Sequence, residues 1–482
     1  MSSEKPIHVV RLLSRALHRI RTTSPRLISS PATQPRRAAV ALVIRVLPSP
    51  HSPPIPSDAP IPTLSQFFEL DWVNDPNASV EILYLHRDGA APSDGVPGSY
   101  ASTSSTSNAS SGAKAEAHIA FPGGRMEEGD EGGLYTAMRQ TWEEIGLDLA
   151  ERDFTCIGQL DDREITTSLG KRLLMILSPF VFLQLTANPI PVDPAEGTEI
   201  YWTPLESLVD AVSPIPAGID RERSAKWTTV NVDAASRITP KHAPKLKHLV
   251  RLLLGTMQFP ALLLDVPDHT IETASAPSYP SPANSPPLKG PGSFPNSTQD
   301  SLEKGVPSAL KPKYLKLWGL SLGMTLDLLS NMIPSVHSTS IPSLPSPPLS
   351  VSSFQREQRS AAAAAVDSSV WLSALHLPFR PVGGEGMRVE AIAPSLASVF
   401  PRFSYPDVNF WIWVFGKRYR EVVRGWEAST RSGGSNDRRI NWAGTALNTF
   451  YAAVRKALIV VIILRAIGII IGLAFAAWWV FS

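Results

Sequence analysis

Four stretches rich in proline, serine, glycine or alanine, residues 48–63, 89–116, 268–312 and 334–365, limit what this chain can fold into. None has hydrophobic periodicity, so none can bury enough apolar surface to offset the entropy of ordering its backbone. Each is expected to be a disordered loop or linker. The 482 residues include 45 prolines, so length alone, which would suit two or three domains, overstates the packed part. Ordered islands lie between. "RRAAVALVIRVL", "VEILYLHR", "RLLMILSPFVFLQL" and "EIYWTPL" read as strands, and "LYTAMRQTWEEI" and "APKLKHLVRLLLG" as helices. "YLKLWGLSLGMTLDLLSNMI" reads as a strand running into a helix. Strands and helices interleave, which predicts an α/β domain.

Charge and composition narrow the partners. The net charge is only +2 and no dense Lys/Arg run lies outside the N-terminus, so nucleic acid is not expected as a partner. A single cysteine, Cys156, excludes an intramolecular disulfide and a multi-cysteine zinc site, and reads as a small buried hydrophobe. The ten histidines show no ligand spacing.

The run from Ala457 to Phe481, "ALIVVIILRAIGIIIGLAFAAWWVF", is long enough to reach across a hydrocarbon core of about 30 Å. Arg455 and Lys456 precede it and Trp478 and Trp479 lie at its far end, the flanks of a membrane span whose preceding domain faces the cytosol. Arg465 lies within the run, where an arginine is costly unless its side chain snorkels. The layout is that of a tail anchor; endoplasmic reticulum, mitochondrion and peroxisome are all compatible with it. At the other end, "IHVVRLLSRALHRI" is amphipathic, basic and free of acid. It predicts a surface helix leading into the first strand, with a transit peptide as the alternative. Residues 383–430 mix aromatic and basic side chains, suited either to lying on a bilayer or to packing on the main domain.

The chemistry concentrates in "FPGGRMEEGDEGGLYTAMRQTWEEIGLDL", Phe121 to Leu149. Leu134, Ala137 or Met138, Thr141 and Ile145 recur at helical spacing as a core face, while Gln140, Glu143 and Glu144 fall at i, i+3 and i+4 on another. Gly146 is a natural C-terminal stop. Adjacent carboxylates on a rigid helix beside a glycine-rich loop suit Mg²⁺ or Mn²⁺, which take hard oxygen ligands and complete their shells with water and phosphate. Such a site would cleave a diphosphate.

The segment resembles the Nudix box. Gly124, Glu131, Arg139, Glu143, Glu144, Gly146 and Leu147 occupy its marked places, with one extra residue between Gly124 and Glu131. The extra residue, "FPGG" and "TAMR" resemble the coenzyme A diphosphatase-like branch, and "SPFVFLQL", "GTEIYWTPLESL" and "LKLWGLSLG" resemble its later strands and closing helix. The resemblance implies an α/β/α sandwich, a mixed sheet between helices, over residues 37–333 with disordered insertions at 89–116 and 268–312. A basic N-terminal segment (1–36) would precede it, and a linker (334–382), the aromatic and basic segment (383–430) and a transmembrane helix (457–481) would follow. It also implies metal-dependent hydrolysis of a nucleoside diphosphate linked to another group. Glu143, Glu144 and Glu131 would hold or support the metal, Arg139 would orient the cluster, and Gly123, Gly124 and Arg87 would contact substrate.

Two positions depart from the family. Gln140 replaces a glutamate that helps bind metal or acts as base; a glutamine lends a carbonyl oxygen but takes no proton at neutral pH. The base would then come from Asp161, Asp162, Glu164 or Glu199. Upstream, Ala113 and Ala117 stand where the coenzyme A branch has arginine and glycine. The alternative is a degraded, membrane-tethered binding domain. A more remote one is a serine hydrolase using Ser321 of "GLSLG", a G-x-S-x-G match with downstream His337 and His376.

Overall fold

The computed structural model describes residues 9–31, 36–52, 60–87, 116–166, 173–212, 225–235, 244–266, 314–332, 398–431 and 442–481. Most of the four low-complexity stretches, together with His337 and His376, lies outside these residues.

The first island of sequence becomes β1 (Arg37–Leu47), the centre of a seven-stranded mixed sheet. It runs parallel to β7 (Leu173–Gln184) and antiparallel to β2 (Ser79–Arg87) and β4 (Gly123–Arg125). β8 (Thr198–Pro204) extends the sheet beyond β2, and β5 (Phe154–Gln159) and β6 (Arg163–Thr166) pair with β7. A strand buried on both faces needs a near-continuous apolar run, and "AAVALVI" supplies it. Ala39, Ala41 and Val43 face one core, and Leu42, Ile44 and Val46 the other.

Helices cover both faces. On the Ala39 side lies α3 (Gly133–Ile145), after α1 (Val9–Thr22) and the single-turn α2 (Leu64–Phe67) in chain order. On the Leu42 side lie α1 and α4 (Leu205–Val212). The amphipathic spacing of α1 builds core: Leu13, Ala16 and Leu17 are fully buried, each leucine worth about 1.5–3 kcal/mol of transfer free energy.

The remaining strands form a second sheet. β10 (Thr256–Asp265), which follows α5 (Pro244–Leu254), pairs with β9 (Ala225–Asp233) and β11 (Tyr314–Trp318), and β3 (Glu116–Ile119) runs parallel to β11. Leu85 and Ala120 exchange backbone hydrogen bonds of 2.7 and 2.9 Å, which tie the two sheets together. After β11, Gly319 turns at φ +62° into α6 (Gly319–Met332), which packs into the core shared with α1. Leu262, Leu264, Leu315 and Leu317 of the second sheet face that same core. The fold is thus mixed α/β as expected, with its strands divided between two sheets.

The other face of the second sheet, Met257, Phe259, Ala261 and Trp318, packs against C-terminal helices. These follow the short β12 (Arg402–Phe403): α7 (Pro406–Phe415), α8 (Lys417–Arg431) and the 40-residue α9 (Trp442–Phe481). Of the two expectations for residues 383–430, packing on the domain describes α7, whose Val408 is fully buried; residues 383–397 lie outside the described set. The first part of α9 belongs to the same core through Phe450, Val454, Ala457, Leu458 and Val461. Its continuation is apolar and exposed from Ile463 onward apart from Arg465, so one long apolar helix fits a membrane anchor.

Candidate active site

Two glycines bound the helix that carries the site. α3 starts after Gly132, which offers no side-chain cap, and stops at Gly146 in the left-handed region at φ +67°. The chain at Asp193 and Ala195 folds back so that their amides donate to the carbonyls of Ile145 and Glu144, at 2.8 and 2.9 Å. Those carbonyls would otherwise be unpaired at the helix end. The backbone under Glu144 is thereby held.

Thr136, Ala137, Thr141 and Ile145 are buried, but Leu134 is exposed, contrary to its expected place in the core. Thr136 takes its place because a carboxylate reaches back over the first turn. Asp130 accepts the Thr136 hydroxyl and the Glu127 amide, each at 2.9 Å, and the Nε and Nη2 of Arg139, each at 2.8 Å. Donation by Arg139 holds the Asp130 carboxyl well below the usual carboxylate range, and the same pairing pushes the Arg139 guanidinium up. Asp130 was not singled out in the sequence. In "EEGDEGG" it is one acid among several: Glu127 also comes within 3.5 Å of Arg139, but the turn gives Asp130 both the Nε and the Nη2 of the guanidinium. Glu131, expected to support the metal cluster, is exposed and is not the carboxylate that Arg139 holds.

Arg139 also donates to both oxygens of Glu143, at 2.9 and 3.1 Å, so Asp130 and Glu143 lie on either side of one guanidinium. Arg87, at the end of β2, donates through Nη2 to both oxygens of Glu144 at 2.7 Å. The Gly123 amide reaches the same carboxylate at 3.3 Å. Arg87, Gly123 and Glu144 come from three separate elements and meet at one rim, where Glu143 is 44% and Glu144 21% exposed. Exposed ion pairs of this sort contribute at most about 1 kcal/mol each, so this rim does little for stability.

Gln140 joins the rim by donating its amide nitrogen to Glu143 at 2.7 Å. Its carbonyl oxygen lies against Gly124, where any Cβ would collide with it. Gly123 is constrained as well: at φ +146° a Cβ there would overlap the backbone of Ala39 and Val40. The glycine pair lets β4 lie flat between β1 and α3.

The four acids considered as bases are placed elsewhere. Asp162 is fully buried and accepts from the Ile28 amide (2.9 Å), Arg37 (2.8 Å), Gln159 (2.7 Å) and Ser178 (2.7 Å). Asp161 accepts the Arg26 amide. Glu164 lines a cavity with Leu320, Ser398 and Gly444, on the α6 side of the first sheet. Glu199 takes the Tyr201 hydroxyl at 2.6 Å and shares the strand face of Tyr201, away from α3. Ser321 lies in the first turn of α6, where its carbonyl accepts the Thr325 hydroxyl. Cys156, read as a buried hydrophobe, is exposed at a bulge in β5.

No group of three or more His, Cys, Asp or Glu gathers as a ligand set among the described residues. Two accessible carboxylates on one rim still fit Mg²⁺ or Mn²⁺ by donor chemistry. Mg²⁺ commonly takes one or two protein carboxylates and leaves the rest of its shell to water and phosphate.

Residues 107–227 match the family model described as NUDIX domain, a range that takes in β3, β4, α3, β5 to β8 and α4 and ends within β9. Over 165 residues the chain is 29% identical to an uncharacterised protein of Schizosaccharomyces pombe, covering 34% of this chain and 46% of that one. The chain thus spans about half the length of that curated relative. Among solved structures, a Nudix hydrolase from M. smegmatis, RenU, aligns at 16% identity over 36% of this chain and 73% of its own, with a TM-score of 0.20. The chain is thus a mixed α/β protein in which residues 107–227 are similar to a Nudix domain.

Proposed function

We propose that this chain is a membrane-tethered, metal-dependent Nudix pyrophosphohydrolase that cleaves the diphosphate of a nucleoside diphosphate linked to another group, coenzyme A or acyl-coenzyme A being one such substrate. The observation that carries this is the meeting of the Gly123 amide and Glu144 beside Glu143, inside residues 107–227 that match the NUDIX domain model, with Arg87 reaching Glu144 from β2 outside that segment. Glu143 and Glu144 would hold Mg²⁺ or Mn²⁺, which would offset diphosphate charge and acidify water. Asp130 fixes Arg139, and Arg139 orients Glu143. Arg87 is 36% exposed and is positioned to exchange Glu144 for a phosphate oxygen, so substrate entry frees the carboxylate. Because Gln140 takes no proton, Glu144 would accept the proton of the attacking water on its oxygen that does not hold the metal.

A second reading, a domain that binds diphosphates without cutting them, is favoured by one contact. Gln140 donates to Glu143, whereas an ionised glutamate would repel it, so this rim is at rest without added cations. The deciding experiment assays the full chain and its Glu144→Gln and Gln140→Glu variants against coenzyme A, dinucleotides and nucleotide sugars with Mg²⁺ or Mn²⁺. Metal-dependent turnover lost in Glu144→Gln supports the hydrolase. A silent wild type with turnover gained in Gln140→Glu establishes the binding domain instead.

A further inference from the structure

Arg465, the charge that sits awkwardly in the apolar C-terminal run, has a defined place. Its Nη2 donates to both carboxylate oxygens of Asp407 at the start of α7, at 2.8 and 2.6 Å, and its Nη1 donates to the carbonyl of Leu253 at the end of α5. Its guanidinium lies 4.4 Å from the centre of the Tyr405 ring, and the Tyr405 hydroxyl donates to the Leu252 carbonyl at 3.2 Å. One side chain therefore ties α9 to the ends of α5 and α7.

On α9, Ala457, Leu458 and Val461 before this point are buried in protein, whereas Ile463, Leu464, Ile467 and Ile470 are exposed. Ile459 is also exposed, so one flank of the helix is open from that turn, and all of it except Arg465 is open from Ile463 onward. A charged residue at mid-bilayer costs several kcal/mol, so the Arg465–Asp407 pair belongs at the boundary between bilayer and domain. The surface at that level is apolar too. Leu252 is 70% and Leu249 50% exposed on α5, and Phe410, one turn into α7, is 42% exposed. Around the two leucines, α5 carries exposed Lys245, Lys247 and Arg251 and no acidic residue. Apolar side chains rimmed by cations beside an emerging apolar helix complement an anionic bilayer surface.

We propose that Leu249, Leu252 and Phe410 form a second membrane contact, pressed into the bilayer interface because Arg465 clamps α9 to α5 and α7. The domain then sits flush on the membrane in one orientation. This rests on the reading of α9 as a membrane anchor, and the test separates the two. In a Cys156→Ser background, single cysteines replace Leu252, Phe410, Ile470 and the distant exposed Glu151. Each full-length protein carries an environment-sensitive NBD label and is reconstituted into phosphatidylcholine vesicles with and without phosphatidylserine.

The expected result is a blue-shifted emission, quenched by lipid-borne quenchers, at positions 252, 410 and 470, with water-like emission at 151. Phosphatidylserine should strengthen the effect at 252 by about 2-fold or more, since anionic headgroups attract the exposed Lys245, Lys247 and Arg251. Adding Asp407→Ala should return 252 and 410 toward water and leave 470 in lipid. A lipid signal at 470 with water-like 252 and 410 overturns the second contact but leaves the anchor standing. A water-like 470 removes the anchor, and the contact with it. Shielding at 252 that lipid quenchers do not reach, with cross-links between chains, assigns the face to a second copy and overturns the proposal.

Discussion

Asp162 and the Glu143–Glu144 pair are carboxylate centres on the same domain, yet they are built in opposite ways. Asp162 is fully buried and takes four donors, from the segment before β1, from β1, from β5 and from β7. Its lone pairs are saturated, so it holds the N-terminal segment against the sheet and has no capacity left for a ligand. Glu143 and Glu144 are partly exposed, and most of their donors sit on arginines that solvent can reach or that a phosphate can attract. Burial with full satisfaction marks a structural carboxylate; exposure with exchangeable partners marks one that chemistry can use.

The largest expected effect breaks the structural side of that comparison. Asp162→Ala takes the carboxylate away from Arg37 and three further donors and should cost about 3–5 kcal/mol, read as a lowered urea midpoint. A stability loss under 1 kcal/mol would show that the network is not needed. On the other side, Glu144→Gln should lower kcat on the order of 100-fold or more and leave the unfolding midpoint within about 0.5 kcal/mol, because an exposed pair contributes little. A variant that unfolds while keeping its kcat would reverse the assignment.

Asp130 lies between the two types: it is 4% exposed, but it serves the rim by fixing Arg139. Its folded pKa is depressed, so its stabilisation is fully present above the ordinary carboxylate value of about 3.9 and is lost as pH falls through the folded value. Asp130→Asn should cost about 1–2 kcal/mol at neutral pH and flatten the acid limb of stability against pH. An unchanged acid limb would mean that Arg139 does not hold Asp130 in solution. The smallest effect sharpens the exposed side. Gln140→Glu should lower stability by about 0.5 kcal/mol without metal, through repulsion of Glu143, and Mn²⁺ should restore it.

Much of this was legible in the residues. α3 and its glycine stop, the double-faced β1 and the strand-to-helix turn at Gly319 follow from periodicity and turn chemistry that operate within a few residues. Arg87, Gly123 and Glu144 meet at one rim, Glu144 from the motif helix and Arg87 from a strand far upstream of it. Asp130 was not legible, because "EEGDEGG" offers several equivalent acids and a turn selects among them. The four candidate bases misled for a related reason: an acid in a loop or strand says nothing about which face it takes.

By itself the sequence determined the elements, the site helix with its paired glutamates, and the presence of an apolar C-terminal helix, since these depend on local spacing and composition. Tertiary structure alone decided the division of the strands between two sheets, the choice of Asp130 as the partner of Arg139, the burial of Asp162, and the place along α9 where protein packing ends. Each of these is set by contacts between segments far apart in the chain, where free energy depends on what else is buried nearby and not on the residue's own neighbours.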